Sequence, residues 1–264
     1  MKKIQTTALA IFVMGFTLVG NATMISGNGL QNGLNAITST PGGDPAGDFR
    51  DVNDPNSRHN PDEIWRLSSS GGSVMRMLFE FAGFHNTNSF GIYDTRNVNN
   101  RLELFSGADS STSGPGGTPA IEVLWNLSPN NFQDTLSVWT MGALGASATF
   151  SSNKFGFYLD SSSRDGGGIF YSEQNKNADG LDHMITFAGD YSEAFDLGAG
   201  PSLFGPGEFI LAWEDLDCSV TTCDNDYNDM VVLISNVHAV PNPATLLLFG
   251  LGLFGIGMVS RRRA

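Results

Sequence analysis

The sequence predicts an all-β fold, and specifically a β-sandwich of the jelly-roll kind. Apolar and polar residues alternate in roughly nine or ten short stretches between residues 73 and 236, which is the period of strands with one buried face. Gly-, Ser- and Pro-rich turns separate these stretches, and no long stretch has the helical period. A closed barrel would have the same pattern and is the alternative architecture.

The elements follow in chain order from residue 23. Residues 23–72 are rich in Gly, Asn, Asp and Pro and predict an irregular N-terminal segment, and residues 73–238 form the sandwich domain. In its first strand, Met75 and Met77 alternate with Arg76. Further strands are predicted at residues 90–93, 101–105, 121–125, 136–141, 155–159, 169–171, 183–188, 209–213 and 230–234, with loops at 106–119 and 161–168.

The N-terminus has the pattern of a secretory signal peptide. Lys2 and Lys3 precede an apolar run from Ala8 to Val19, and the small residue Ala22 follows. A short positive region, an apolar stretch and a small-residue cleavage site are the three parts of such a signal. Residues 1–22 are therefore predicted to direct export and to be removed.

The C-terminus, residues 239–264, predicts a transmembrane sorting tail. A Leu-, Gly- and Phe-rich run ends at Val259 and is followed by Arg261, Arg262 and Arg263. The uncharged run is somewhat short for a span, which needs about 20 apolar residues, but terminal arginines can snorkel. The arginines orient the tail end to the cytoplasm, so the domain lies on the other side of the inner membrane.

The residues before this run resemble a known sorting signal. They read Val240, Pro241, Asn242, Pro243, Ala244 and Thr245. With the apolar run and the arginines, they are similar to the PEP-CTERM signal, whose usual motif is Val-Pro-Glu-Pro, so Asn242 departs from it. The resemblance implies processing by an exosortase in a bacterium that makes exopolysaccharide. The protein would be anchored by the C-terminal helix and then reach the cell surface or extracellular matrix.

The charge of the middle region restricts the partners. Only 9 of the 14 Lys and Arg residues lie between the two ends, together with all 27 Asp and Glu residues, so this region is near −18. Nucleic acids and anionic membranes bind to basic surfaces, so we expect no nucleic-acid partner. An acidic surface suits solubility outside the cell and cation binding.

The two cysteines, Cys218 and Cys223, predict a disulfide. Both lie in the exported region, where the environment is oxidising. A zinc site is the alternative, but two cysteines without a nearby histidine make a poor one.

The strongest candidate for a functional site is an acidic stretch around these cysteines. Its candidate metal ligands are Glu214, Asp215, Asp217, Asp224, Asp226, Asn228 and Asp229. Carboxylates packed this densely repel one another unless a cation neutralises them, and Ca²⁺ binds six to eight oxygen ligands of this kind. The Asp224-x-Asp226-x-Asn228 spacing starts like an EF-hand loop, but Asp229 replaces its glycine and a strand follows. The alternative is a solvated acidic turn without a metal.

A smaller polar group precedes the strand at 183–188. It comprises Asn177, Asp179, Gly180, Asp182 and His183. These residues either add ligands to the same cation or form a turn stabilised by Asx hydrogen bonds.

The acidic stretch and several strand motifs resemble a family, the domain of unknown function 4114. The motifs are Phe79-Glu80-Phe81, Phe90-Gly91-Ile92-Tyr93-Asp94, Phe155-Gly156-Phe157-Tyr158-Leu159, Asp182-His183-Met184, Glu214-Asp215-Leu216 and Asp224-x-Asp226-Tyr227-Asn228-Asp229. The similarity extends over roughly residues 73–236. It implies an exported module, associated with adhesion or a matrix, and no established activity.

No sequence pattern indicates an enzyme. The chain has no Gly-x-Ser-x-Gly, His-Glu-x-x-His or glycine-rich phosphate motif, and its four histidines are scattered. Two functions remain. The first is a calcium-stabilised surface or matrix protein linked to exopolysaccharide or biofilm. The second is a carbohydrate-binding module that recognises an extracellular polysaccharide.

Overall fold

The computed structural model describes residues 24–42, 47–67, 71–79, 87–106, 120–128, 135–141, 146–197 and 200–241. In these ranges one α-helix, α1 (Gly29–Ile37), accompanies sixteen strands, and the all-β class is confirmed. The strands are β1 (Thr38–Ser39), β2 (Trp65–Leu67), β3 (Gly71–Phe79), β4 (Ser89–Asp94), β5 (Asn97–Ser106), β6 (Ala120–Ser128), β7 (Thr135–Met141), β8 (Ser147–Phe150), β9 (Lys154–Asp160), β10 (Ile169–Tyr171), β11 (Met184–Ala188), β12 (Ala194–Asp196), β13 (Pro201–Leu203), β14 (Glu208–Trp213), β15 (Met230–Ser235) and β16 (Val237–Ala239).

The strands form two large sheets and one small one, and every described strand pair is antiparallel. The larger sheet has the order β11-β14-β15-β3-β6-β7-β8. The second has the order β16-β2-β9-β4-β5, with β10 also paired to β9. The small sheet has the order β1-β12-β13.

The main hydrophobic core lies between the two large sheets. Trp65 on β2 contacts Phe209 on β14, with ring centroids 4.9 Å apart, and Phe90 on β4 contacts Trp213 on β14 at 6.1 Å. Both sheets contribute to a single cluster of buried apolar side chains. The two sheets therefore pack face to face, as in a sandwich, whereas the jelly-roll connectivity stays a prediction.

A second apolar layer covers the other face of the larger sheet. Leu30, Leu34 and Ile37 are spaced so that they lie on one face of α1, and all three are buried. They belong to a cluster with Ile210 and Val231, which alternate on β14 and β15 with the side chains of the main core. The central strands of this sheet are thus buried on both faces, which explains why their sequences are almost wholly apolar.

The prediction of an irregular segment at 23–72 is wrong for α1 and β2. Few of its residues are apolar, but those few are spaced for burial: Phe49 and Val52 join the outer layer and Trp65 joins the main core. Every strand predicted from residue 73 onward is present, with ends that differ by a few residues. The short strands β1, β8, β12, β13 and β16 had not been predicted.

Two predictions concern the ends of the chain. The signal peptide predicted at 1–22 and residues 242–264 of the predicted tail lie outside the described residues. Within the described ranges, no helix has the length and apolar character needed to cross a membrane. The first residues of the predicted tail contact the sandwich domain, because Val240 N donates a hydrogen bond to Ile64 O at 2.7 Å.

Candidate metal centre

The site is built at the neck of the β14–β15 hairpin. Trp213, the last residue of β14, pairs with Met230, the first residue of β15. Glu214 and Asp229 are the next residues outward, so the antiparallel register places them opposite each other. The Asp229 N–H donates to Trp213 O at 3.2 Å, and the Asp215 N–H donates to Asp229 Oδ2 at 2.9 Å. The fixed pairing of two buried strands thus positions two carboxylates fifteen residues apart in the sequence.

The other carboxylates come from a tightly curled stretch before β15. Asn225 and Tyr227 have positive φ angles of 55° and 52°, on either side of Asp226. Asn tolerates this conformation, but it is uncommon for Tyr. The fold holds Tyr227 there, because its ring is buried and its hydroxyl donates to Asp182 O at 2.7 Å.

Four carboxylates converge at this neck. Glu214, Asp224, Asp226 and Asp229 each offer one oxygen, and the four oxygens lie within 4.8 Å of one another. Ca²⁺ binds oxygens at about 2.3–2.6 Å, so opposite ligands of one ion are about 5 Å apart. The four oxygens therefore fit around one calcium ion. Glu214 and Asp229 form the buried side of the group, and Asp224 is exposed to solvent.

Glu214 carries the clearest electrostatic signal. It is 1% exposed, and neither Oε1 nor Oε2 accepts a hydrogen bond. Its close contact is the Asp224 carboxyl, and two carboxyls can share a hydrogen bond only when one of them is protonated. Burial, with the negative charges of Asp224 and Asp226, raises the pKa of Glu214 to about 8. A buried carboxylate without donors is costly unless a cation reaches it.

The neighbouring carboxyls are perturbed in the same direction. Burial raises the pKa of Asp229 well above its usual value, and the charges of Asp215 and Glu214 act with it. Burial also raises the pKa of Asp226. A bound divalent cation would reverse these effects, because it favours the ionised form of every carboxyl that it touches.

The structure brings together four of the six predicted carboxylate ligands. Asp215 is buried beside them, but its Oδ2 accepts a hydrogen bond from Asn88 Nδ2 at 2.9 Å, and burial raises its pKa to about 6. Asp217 lies outside the converging group, and its Oδ1 accepts from the N–H of Ser219 at 2.8 Å. Asn228 is buried in the same loop, and its N–H donates to Asp226 Oδ1 at 3.2 Å.

The predicted disulfide is present and is tied to the smaller polar group. Cys218 and Cys223 are bonded, with Cα atoms 5.2 Å apart. Asp179 Oδ2 accepts a hydrogen bond from the Cys218 N–H at 3.2 Å and lies 2.9 Å from His183 Nε2. Asp179 therefore anchors the disulfide loop, and neither it nor Asp182 belongs to the converging carboxylates.

A cavity of about 700 Å³ adjoins the site, and Glu214 is part of its wall. Its other lining residues include Arg58, Asp62, Gln174, Asp182 and Thr186. Asp62 and Thr186 had not been singled out in the sequence, and neither had Asn88. A single Asp in a Pro-rich segment and a Thr inside an apolar strand have no distinguishing sequence signal.

Two family models match parts of the chain. Residues 147–236 match the Domain of unknown function (DUF4114), and residues 239–263 match the PEP-CTERM protein-sorting motif. No curated protein and no solved structure matches the chain. Both expected resemblances are confirmed, although the DUF4114 match begins later than residue 73. All four converging carboxylates lie within it, and the sorting motif implies export and processing by an exosortase.

Proposed function

We propose that this exported chain, a DUF4114 domain followed by a PEP-CTERM motif, is a non-enzymatic surface or extracellular-matrix protein stabilised by calcium. The observation that carries the proposal is Glu214, a buried carboxylate without a hydrogen-bond donor that faces three other carboxylates. The four carboxylates repel one another when they are ionised. A divalent cation that binds between them relieves this repulsion, and its binding is therefore strongly favourable. The sorting motif supports the location, since export brings the site to calcium-containing surroundings.

Calcium is a better match to the site than other common cations. All the converging ligands are carboxylate oxygens, which calcium and magnesium prefer, whereas zinc prefers nitrogen and sulfur. Magnesium is bound mostly through one or two carboxylates and keeps several of its waters. A site with four carboxylates therefore favours calcium.

The ion would act as a clamp on the hairpin. Glu214 follows β14, Asp229 precedes β15, and Asp224 and Asp226 belong to the loop between them. A shared ion would join these parts, and the Cys218–Cys223 disulfide shortens the chain that must be ordered. Within this proposal the sandwich is of the jelly-roll kind, the C-terminal helix anchors the protein before processing, and extracellular polysaccharide is the matrix it joins.

The test is the thermal unfolding of the full chain in chelator, in calcium and in magnesium. We expect calcium to raise the midpoint, with a stabilisation of about 2.7 kcal/mol at one hundred times Kd, and magnesium to raise it much less. Asp226→Asn should lose most of the calcium response. The matched control is Asp165→Asn, since Asp165 is an exposed carboxylate outside the converging group.

Two results would contradict the proposal. One is an equal midpoint in chelator and in calcium. The other is a calcium response that Asp226→Asn and Asp165→Asn leave equally intact, because the ion would then act elsewhere on the acidic surface.

A further inference from the structure

The cavity beside the carboxylates has the size of a small-molecule site. Its volume is about 700 Å³, and pockets for small ligands usually measure about 300–1,000 Å³. A bare ion would leave most of this space unfilled. The cavity lies between the N-terminal segment, which contributes Arg58 and Asp62, and β11, which contributes Thr186.

Glu214 joins the cavity to the metal centre. Its carboxylate belongs to the converging group, and the residue also lines the cavity. Its two oxygens accept no hydrogen bond and are almost completely buried, so an unsatisfied polar group lies within the wall of the cavity. Four carboxylates supply fewer ligands than the six to eight that calcium takes, unless they bind through both oxygens. An ion held by Glu214 thus has room for ligands from the cavity side.

The walls of the cavity restrict the charge of its ligand. Asp62 and Asp182 both line it. Burial raises the pKa of Asp62 well above its usual value, and the negative charge of Asp182 adds to this effect. Arg58 also lines the cavity, and its positive charge is offset by that of Asp182, so the walls offer no surplus of positive charge to an anionic ligand. A cationic ligand would meet the calcium ion, so it could not supply the missing metal ligands.

Hydroxyl groups satisfy both requirements. A hydroxyl oxygen is neutral and can coordinate calcium, while its hydrogen can be donated to a carboxylate. We propose that the cavity binds a neutral carbohydrate, two of whose hydroxyl oxygens complete the coordination of a calcium ion held by Glu214. This inference rests on the calcium site proposed above and adds the class of ligand that the site takes.

Terbium provides a direct test on the full chain, because it replaces calcium and its luminescence is excited by nearby aromatic rings. Trp213 is directly bonded to Glu214, and Tyr227 follows Asp226, so both can sensitise a bound ion. Luminescence lifetimes in H₂O and in D₂O together give the number of waters on the ion. The probes are the methyl glycosides of glucose, mannose, galactose and fucose, with galacturonate and glucosamine as charged comparisons.

We expect at least one neutral glycoside to lengthen the lifetime in H₂O by displacing about two bound waters, and the charged sugars to do so much less. Asp182→Asn should lower the affinity for that glycoside roughly tenfold, since a hydrogen bond to a charged group is lost. The same change should leave the affinity for terbium unchanged. Asp165→Asn is the control and should change neither.

The outcomes separate the two proposals. A chain that binds terbium at Glu214 but keeps all of its bound waters with every neutral glycoside would overturn the carbohydrate inference alone. A larger effect of galacturonate or glucosamine would also overturn it. A chain that shows no sensitised terbium luminescence would overturn the calcium site, and the inference with it.

Discussion

At the scale of single residues, Glu214 determines how the site responds to pH. In water a glutamate ionises near pH 4.5, but burial and the charges of Asp224 and Asp226 raise the pKa of Glu214 to about 8. Between these values the unfolded chain has lost a proton that the ion-free folded chain still holds. The unfolded state is then favoured progressively as the pH rises.

We therefore predict that the ion-free protein loses stability as the pH rises from about 4.5 to about 8. Saturating calcium should remove this loss, since the ion favours the ionised carboxyl. The free energy of unfolding, measured with guanidinium at several pH values in chelator and in calcium, tests this prediction. Glu214→Gln should show a shallower decrease in chelator. A chelated native protein whose stability is constant or rises across this range would contradict the assignment.

Part of the site could be read from residue types alone. Closely spaced acidic residues between two apolar stretches predicted the region, because such residues rarely gather next to buried strands without a partner. The choice among them could not be predicted. Asp215 differs from Asp226 by its tertiary contact with the amide of Asn88, and Asp217 differs by lying outside the converging group.

At the scale of structural elements, the hairpin and the N-terminal helix form the site together. Ser26 N donates to Asn225 O at 2.8 Å, just before α1 begins. A Cβ atom on Gly29, the first residue of α1, would lie 2.2 Å from Asn228 Nδ2. That distance is far below van der Waals contact, so the absence of a side chain at Gly29 lets the helix rest against the acidic loop before β15.

Gly29→Ala tests this contact. In an unobstructed helix, alanine is favoured over glycine by about 1 kcal/mol. Here overpacking should cost about 1–3 kcal/mol and displace Asn228, so we expect weaker calcium affinity. Calcium titration followed by thermal unfolding measures the change. Asn32→Ala, at an exposed position of the same helix, is the control and should keep the native affinity.

An equal or higher calcium affinity in Gly29→Ala would show that the helix does not constrain the loop.

The strands were more predictable than the helix for a physical reason. From residue 73 onward the apolar stretches are long enough to show their period, and turn residues mark their ends. In α1 the buried Leu30, Leu34 and Ile37 lie among Gly, Asn and Gln, which lower the helical signal. The helix is stabilised by burial in one apolar cluster with Ile210 and Val231, and this packing cannot be seen in the local sequence.

At the scale of the whole molecule, export out of the cytoplasm is consistent with the disulfide and with the acidic site. The sorting motif implies export, and the disulfide between Cys218 and Cys223 suits an oxidising compartment. The region between the two ends carries a charge near −18, from 9 basic and 27 acidic residues. A bound divalent ion would lower this repulsion where it is concentrated, at the neck of one hairpin.

The overall architecture was only partly predictable from sequence. Alternating strands predicted an all-β class, and the pairing of Trp65 with Phe209 and of Phe90 with Trp213 decides in favour of two facing sheets. The cavity was not predictable, because its walls come from distant segments that meet only in the fold. Asp62 and Asp182, for example, are separated by 120 residues.

The most direct test of the central claim compares the native chain with Glu214→Gln by guanidinium unfolding above pH 8. Without calcium, the native protein contains a buried, unpartnered charge that glutamine lacks, so the variant should be the more stable of the two. With calcium, the native protein gains binding free energy through Glu214, so the order should reverse. If the two proteins keep the same order in chelator and in calcium, the ion does not bind through Glu214 and the account of this site is wrong.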